Sequence, residues 1–119
     1  MKIFSTKVHG VLDYATVITL PAVFRRLHAS PSTQRLADGG AVAVLIYSLL
    51  TRYELGAFPV LSLRGHLTAD ALFGAALGVA ALRRTSDTNV VRGALLGLGL
   101  FSLSASLLTE TEPNLPPPA

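Results

Sequence analysis

Four stretches of nearly uninterrupted apolar residues divide the chain: Val8–Phe24, Leu36–Thr51, Leu67–Leu82 and Val91–Thr109. None alternates apolar and polar positions as a half-buried strand does, and each is close to the roughly 17–25 residues that cross a bilayer as a helix. The third and fourth are apolar nearly all round, the pattern of membrane or deep-core helices. The expected fold class is therefore all-α: an integral membrane four-helix up-down bundle. A soluble bundle would need polar outer faces that Leu67–Leu82 and Val91–Leu108 lack. A cleaved signal peptide is the competing reading of the first stretch. Against it, His9 and Asp13 interrupt the apolar region, and no small-x-small site follows.

Turn and charge signals fill the gaps. Arg25–Arg35 contains Pro31 and several Ser and Thr, Leu55–Arg64 contains Gly56 and Pro59, and Arg83–Asn89 is short and polar. Short links favour antiparallel neighbours. Pro21 should kink or end the first helix. The tail Pro113–Ala119 cannot be helical and is expected to be a short disordered end.

The chain is also internally repetitive. A shift of 57 residues lays Ser5-x-Lys7-x-His9-x-x-x-Asp13 on Ser62-x-Arg64-x-His66-x-x-x-Asp70. A shift of 58 lays Arg25-Arg26 on Arg83-Arg84, and Ser48-Leu49-Leu50-Thr51-x-x-Glu54 on Ser106-Leu107-Leu108-Thr109-x-x-Glu112. Three collinear matches predict a duplicated helical hairpin. Repeat 1 covers 1–58 and repeat 2 covers 59–119 of a single membrane domain, the two related by an axis along the bundle. In an up-down arrangement both His-x-x-x-Asp helix starts and both Ser-Leu-Leu-Thr-x-x-Glu helix ends lie at one end. The arginine pairs lie at the other.

Composition agrees with a membrane protein. Only 14% of the 119 residues are charged, against about 25% in soluble domains, and the mean hydropathy is +0.52. The net charge of +3 comes largely from arginines scattered between the apolar runs. This distribution fits membrane flanks and not a nucleic-acid face. Arg25, Arg26, Arg35, Arg83, Arg84 and Arg92 outnumber Lys2, Lys7, Arg52 and Arg64. The positive-inside rule thus assigns the arginine-pair end to the cytoplasm, and both termini to the exoplasmic side. There is no cysteine, which removes disulfides and thiolate metal sites.

The candidate chemistry is the set His9, Asp13, Glu54, His66, Asp70 and Glu112. His9 and Asp13 share a helix face at i and i+4, as do His66 and Asp70, and Ser48, Thr51 and Glu54 follow one another at intervals of three. The leading expectation is a small accessory or scaffold-like membrane protein in which each His bonds the Asp one turn on and the cluster cross-links helices. The alternative is a site for a divalent metal or for protons and ions, because imidazoles and carboxylates on facing helices build bundle-core metal sites. A lesser alternative is one b-type haem held axially by His9 and His66. No nucleophile elbow, phosphate loop or dinucleotide fingerprint is present, and catalysis is not expected. Gly74-x-x-x-Gly78 and Gly93-x-x-x-Gly97 permit close helix approach, within the chain or in a homo-oligomer. Tyr53 is expected to anchor at the membrane interface.

"STKVHGVLDYA" before an apolar helix, then "YSLLTRYELG", then a second His-x-x-x-Asp helix, resembles small bacterial four-helix membrane proteins grouped with the SPW-repeat family. The Ser-Pro-Trp element would fall near Leu20-Pro21-Ala22, where only the proline matches, and the chain has no Trp. The resemblance implies a bacterial inner-membrane protein and carries over no catalytic residue.

Overall fold

The computed structural model describes residues 2–116. Four helices account for most of them: α1 Thr6–Arg26, α2 Pro31–Leu49, α3 Leu63–Arg83 and α4 Asn89–Leu108. No strand forms among the described residues. The N-terminus of each helix is set by a hydroxyl cap. Ser5, Ser30, Ser62 and Thr88 accept the N–H of Val8, Thr33, Gly65 and Val91, three residues on, which satisfies a donor the helix leaves open. Arg25 and Arg26 stand in the last turn of α1 and Arg83 in that of α3, where cations suit the helix dipole.

Two expectations about proline are corrected. Pro21 does not end α1, which continues to Arg26. Pro31 does not lie in a connection but opens α2, directly after its cap Ser30. The missing proline N–H is harmless there, since the first helical turn has no acceptor for it.

Each helix packs chiefly on its hairpin partner, α1 on α2 and α3 on α4. Small residues line these seams. Gly74 of α3 lies against Gly99 and Leu103 of α4, so closely that a Cβ on Gly74 would stand 2.5 Å from the Gly99 carbonyl oxygen. The α4 glycine used is thus Gly99. Gly78, Gly93 and Gly97 have nothing within 4 Å of a Cβ position. Leu20, Phe24, Ala37, Ala41, Leu77, Ala81, Val91 and Leu95 form the main core toward the arginine end. At that end Asp87 of the α3–α4 loop accepts from Ser30 N (2.7 Å), Ser30 Oγ (3.0 Å) and Thr33 Oγ1 (2.5 Å). This links the two hairpins.

Two of the four helices, α3 and α4, are long and apolar enough to cross a membrane, with mean hydropathies of 1.4 and 1.6. By the same measure α1 and α2 fall short. Lys7, His9, Asp13, Arg25 and Arg26 dilute α1, and Gln34, Arg35 and Asp38 dilute the first half of α2. Of the tail, residues 113–116 are non-helical, and the Asn114 N–H donates to Glu54. The expectation of disorder at 117–119 lies outside the described residues.

Candidate metal centre

The backbone first brings the histidines to the helix ends that face them. Phe4, just before α1, forms a parallel bridge with Thr109, just after α4. Leu61, just before α3, forms one with Thr51, just after α2. Ile3 and Phe4 N–H donate to Leu108 O, as Val60 and Leu61 N–H donate to Leu50 O. Glu110 N–H donates to Phe4 O, as Arg52 N–H donates to Leu61 O. These contacts recur at the sequence offset of 57–58. One and a half turns beyond each bridge the helix carries its histidine inward, so Thr109 meets His9 and Thr51 meets His66.

The resulting hydrogen bonds fix the imidazole tautomers. His9 Nδ1 lies 2.7 Å from Thr109 Oγ1, and His66 Nδ1 lies 2.7 Å from Thr51 Oγ1. Each threonine hydroxyl has one proton, which it donates along its own helix: Thr109 to Ala105 O at 2.6 Å, Thr51 to Tyr47 O at 2.5 Å. The threonine oxygens therefore face the rings with lone pairs, and Nδ1 of each ring carries the proton. A neutral imidazole then presents the lone pair of Nε2 to the centre of the bundle.

What the two Nε2 atoms face is a pair of carboxylates. His9 Nε2 is 2.7 Å from Asp70 Oδ2 and 3.3 Å from Asp13 Oδ1. His66 Nε2 is 3.1 Å from Asp13 Oδ2 and 3.2 Å from Asp70 Oδ2. Thus His9 lies closer to the Asp of the other hairpin than to the one a turn along its own helix. The His66 Nε2 contacts are out of line for a hydrogen bond, and this atom has no partner. All four side chains are buried, with residue exposures of 1%, 6%, 0% and 4% for His9, Asp13, His66 and Asp70. One donor atom from each lies within 4.8 Å of the others. Four donors held tetrahedrally at about 2.1 Å from a common centre are about 3.4 Å apart, so binding an ion would draw the widest pair together by up to about 1.4 Å and open the 2.7 Å pair His9 Nε2–Asp70 Oδ2 by about 0.7 Å.

Two tyrosines complete the shell. Tyr47 OH donates to Asp70 Oδ1 at 2.6 Å and Tyr53 OH donates to Asp13 Oδ2 at 2.7 Å. Both rings pack on His66, with centroids 4.9 and 5.3 Å from it. Tyr53 is therefore not at an exposed interface. It is 3% exposed, folded under the α2–α3 loop. Burial and the adjacent Asp13 push its phenol well above the ordinary tyrosine range, so it remains a donor.

The structure does not bring all six sequence candidates together. Glu54 lies outside the group: it accepts from Thr6 Oγ1 at 2.7 Å and from Asn114 N at 3.0 Å. Partial burial works to raise its pKa, but the hydrogen bonds from Thr6 and the backbone outweigh it and hold the carboxyl below its usual range. Glu112 is on the surface, 3.8 Å from Arg64. The reason is local: α2 ends at Leu49 and α4 at Leu108. The helical spacing that would align Glu54 with Thr51, and Glu112 with Thr109, is broken before either is reached. Ser48, in the same stripe, is fully buried with its hydroxyl unpartnered. Thr109, Tyr47 and Tyr53 are the partners that reading by helical spacing did not assign to the cluster. The offset of 58 from Thr51 was the available signal for Thr109.

No family model, curated protein or solved structure matches the chain.

Proposed function

We propose that this chain is a four-helix membrane protein that binds one divalent metal ion through His9 Nε2, Asp13, His66 Nε2 and Asp70. The observation that carries this reading is the orphaned, fully buried Nε2 of His66. With Nδ1–H turned to Thr51, a neutral His66 aims its Nε2 lone pair at two carboxylates it does not hydrogen-bond, an arrangement that a cation between them would complete. Two neutral imidazoles and two carboxylates sum to −2, which a divalent cation neutralises in a dry site. The threonines are the outer-shell acceptors that orient metal-bound imidazoles. The donor set suits Zn, Mn or Fe.

A second reading, the structural or proton-holding network of an accessory protein, is favoured by the 2.7 Å bond between His9 Nε2 and Asp70, which accommodates one extra proton. It leaves His66 Nε2 without an equivalent. Haem fits poorly. The two rings meet edge to face with centroids 5.3 Å apart, which leaves no slot for a macrocycle between them.

Membrane insertion is supported by the outward side chains of all four helices. Ile18 (75% exposed), Val42, Ile46, Leu72, Leu82, Leu96, Leu100 and Leu107 face outward, a distribution over all four helices that suits contact with lipid. The helices, at 19–21 residues, are about 30 Å long, the thickness of a hydrocarbon core. The offset contacts support descent from a duplicated hairpin, and the bacterial inner membrane is the location we assign.

The metal assignment is tested by purification in detergent after chelation and titration with Zn, Mn and Fe(II). One equivalent should bind, and excess metal should raise the melting temperature by linkage to the folded state. Absence of binding by all three metals removes this reading in favour of the network. For topology, single cysteines at Ser32 and Ala57, in a chain with none of its own, should label oppositely with an impermeant thiol reagent in intact cells. Ala57, at the cluster end, is the accessible one. Labelling at Ser32 alone reverses the orientation, and equal labelling of both argues against insertion.

A further inference from the structure

The two seams between the hairpins are not equivalent. At the α2–α3 seam Phe73 packs on Gly40, where a Cβ would come within 2.8 Å of its ring, and Tyr47 reaches Asp70. The offset places Thr16 at the position equivalent to Phe73, and Ala105 at the position equivalent to Tyr47. At the α1–α4 seam two small side chains thus replace two large aromatic ones. A cavity of about 30 Å³ lies in the centre of the bundle, with Tyr47 and Phe73 on its α2–α3 side, His9, Asp13 and Asp70 at one end, and Thr16, Phe101 and Ala105 toward the α1–α4 seam. Thr16 and Phe101 also line an outer cleft of about 270 Å³ on the surface between α1 and α4, together with Leu12 and Leu98. The inner cavity has room for one or two small molecules, since a water needs roughly 10–15 Å³ measured this way.

We infer that the α1–α4 seam is the route by which a small neutral ligand of one or two heavy atoms, a diatomic gas of the dioxygen type, reaches an exchangeable position on the metal. This rests on the metal reading above. The geometry supplies each part. Four protein donors leave further positions free on an ion that accepts five or six ligands, as iron bound by His and carboxylate does. The cavity abuts His9 and Asp70, so a molecule within it adjoins the metal position. The outer cleft is apolar and opens on the face that lipid would cover, and the inner end carries two carboxylates. Both features disfavour an anion and admit a neutral, lipid-soluble molecule.

The probe is nitric oxide, neutral and diatomic, added anaerobically to protein loaded with one equivalent of ferrous iron. The expected result is the half-integer-spin EPR signal of a ferrous nitrosyl in the wild type. Ala105→Tyr, which copies Tyr47, and the milder Thr16→Leu should keep full iron content and slow nitrosyl formation at least tenfold. Leu72→Phe, at an exposed position of α3 that lines neither cavity, should leave the rate unchanged. Failure to bind iron overturns this inference, and failure to bind zinc and manganese as well removes the metal reading. Full iron loading without a nitrosyl signal overturns the exchangeable position alone. Full loading with an unchanged rate in both seam variants overturns the route.

Discussion

Conversion of both Asp13 and Asp70 to Asn is expected to weaken divalent-metal binding by 100-fold or more while leaving the metal-free fold nearly as stable as the wild type. The two halves of this result have separate causes. In the metal-free protein with neutral imidazoles the carboxylates accept hydrogen bonds from Tyr47 and Tyr53. An amide oxygen accepts the same bonds, and its NH2 donates to the Nε2 lone pairs that the threonines have created. Asn is thus a good partner for a neutral Nδ1–H imidazole, better than a carboxylate. With a metal present the change removes two anionic ligands, and loss even of an outer-shell partner typically costs 10–100-fold. The effect is read directly in a melting titration. Metal at about 1,000 times the wild-type Kd stabilises by about 4.1 kcal/mol, and the same concentration at a 100-fold weaker site gives about 1.4 kcal/mol. If the network is instead held by imidazolium–carboxylate pairs, the order inverts. The double variant then loses stability without metal, because a buried charge is left unpaired, and no titration separates it from the wild type.

The same centre shows what one sequence makes legible. His9 with Asp13 and His66 with Asp70 are readable because i and i+4 on a helix share a face wherever the helix sits, and the duplication put both pairs at the same end. The threonine partners are half readable. Thr51 and Thr109 stand at equal positions in the two halves, but their reach to the histidines depends on the short bridges Phe4–Thr109 and Thr51–Leu61. These pair segments 105 and 10 residues apart, with no local signal. Glu54 and Glu112 fall outside the group for a physical reason: extrapolating a helical stripe assumes the helix continues, and both helices stop first. The place of Tyr53 just past a helix end suggests an interface anchor, whereas the loop folds its ring inward against Leu55 and Leu63. The swap of Phe73 and Tyr47 for Thr16 and Ala105 is visible in the aligned repeats, yet becomes an opening only once the helix seams are known.

The glycines carry the same lesson into packing, and with it a large expected effect on stability. Gly74→Ala and Gly99→Ala should each destabilise strongly, whereas Gly78→Ala, Gly93→Ala and Gly97→Ala should be neutral or slightly stabilising. A Cβ on Gly74 meets Gly99 O at 2.5 Å and Leu103 N at 2.9 Å, and one on Gly99 meets Gly74 O at 2.6 Å and Gly78 N at 3.1 Å. These neighbours are backbone atoms, so no rotamer change relieves the clash and α3 must move off α4. Overpacking of this kind costs about 1–3 kcal/mol for each change. The movement also reaches the site. Asp70 lies one turn from Gly74, and its carbonyl accepts from Ser102 Oγ of α4 at 2.9 Å, so separating the helices displaces a proposed ligand and should weaken metal binding in parallel. At Gly78, Gly93 and Gly97 a methyl group meets open space, and Ala is the better helix former by up to about 1 kcal/mol. Melting in detergent ranks the five variants, and crosslinking with and without Gly97→Leu tests the remaining use of that glycine, a contact between copies of the chain. Equal melting temperatures for Gly74→Ala and Gly78→Ala would mean that α3 and α4 are not in backbone contact at Gly74 and Gly99.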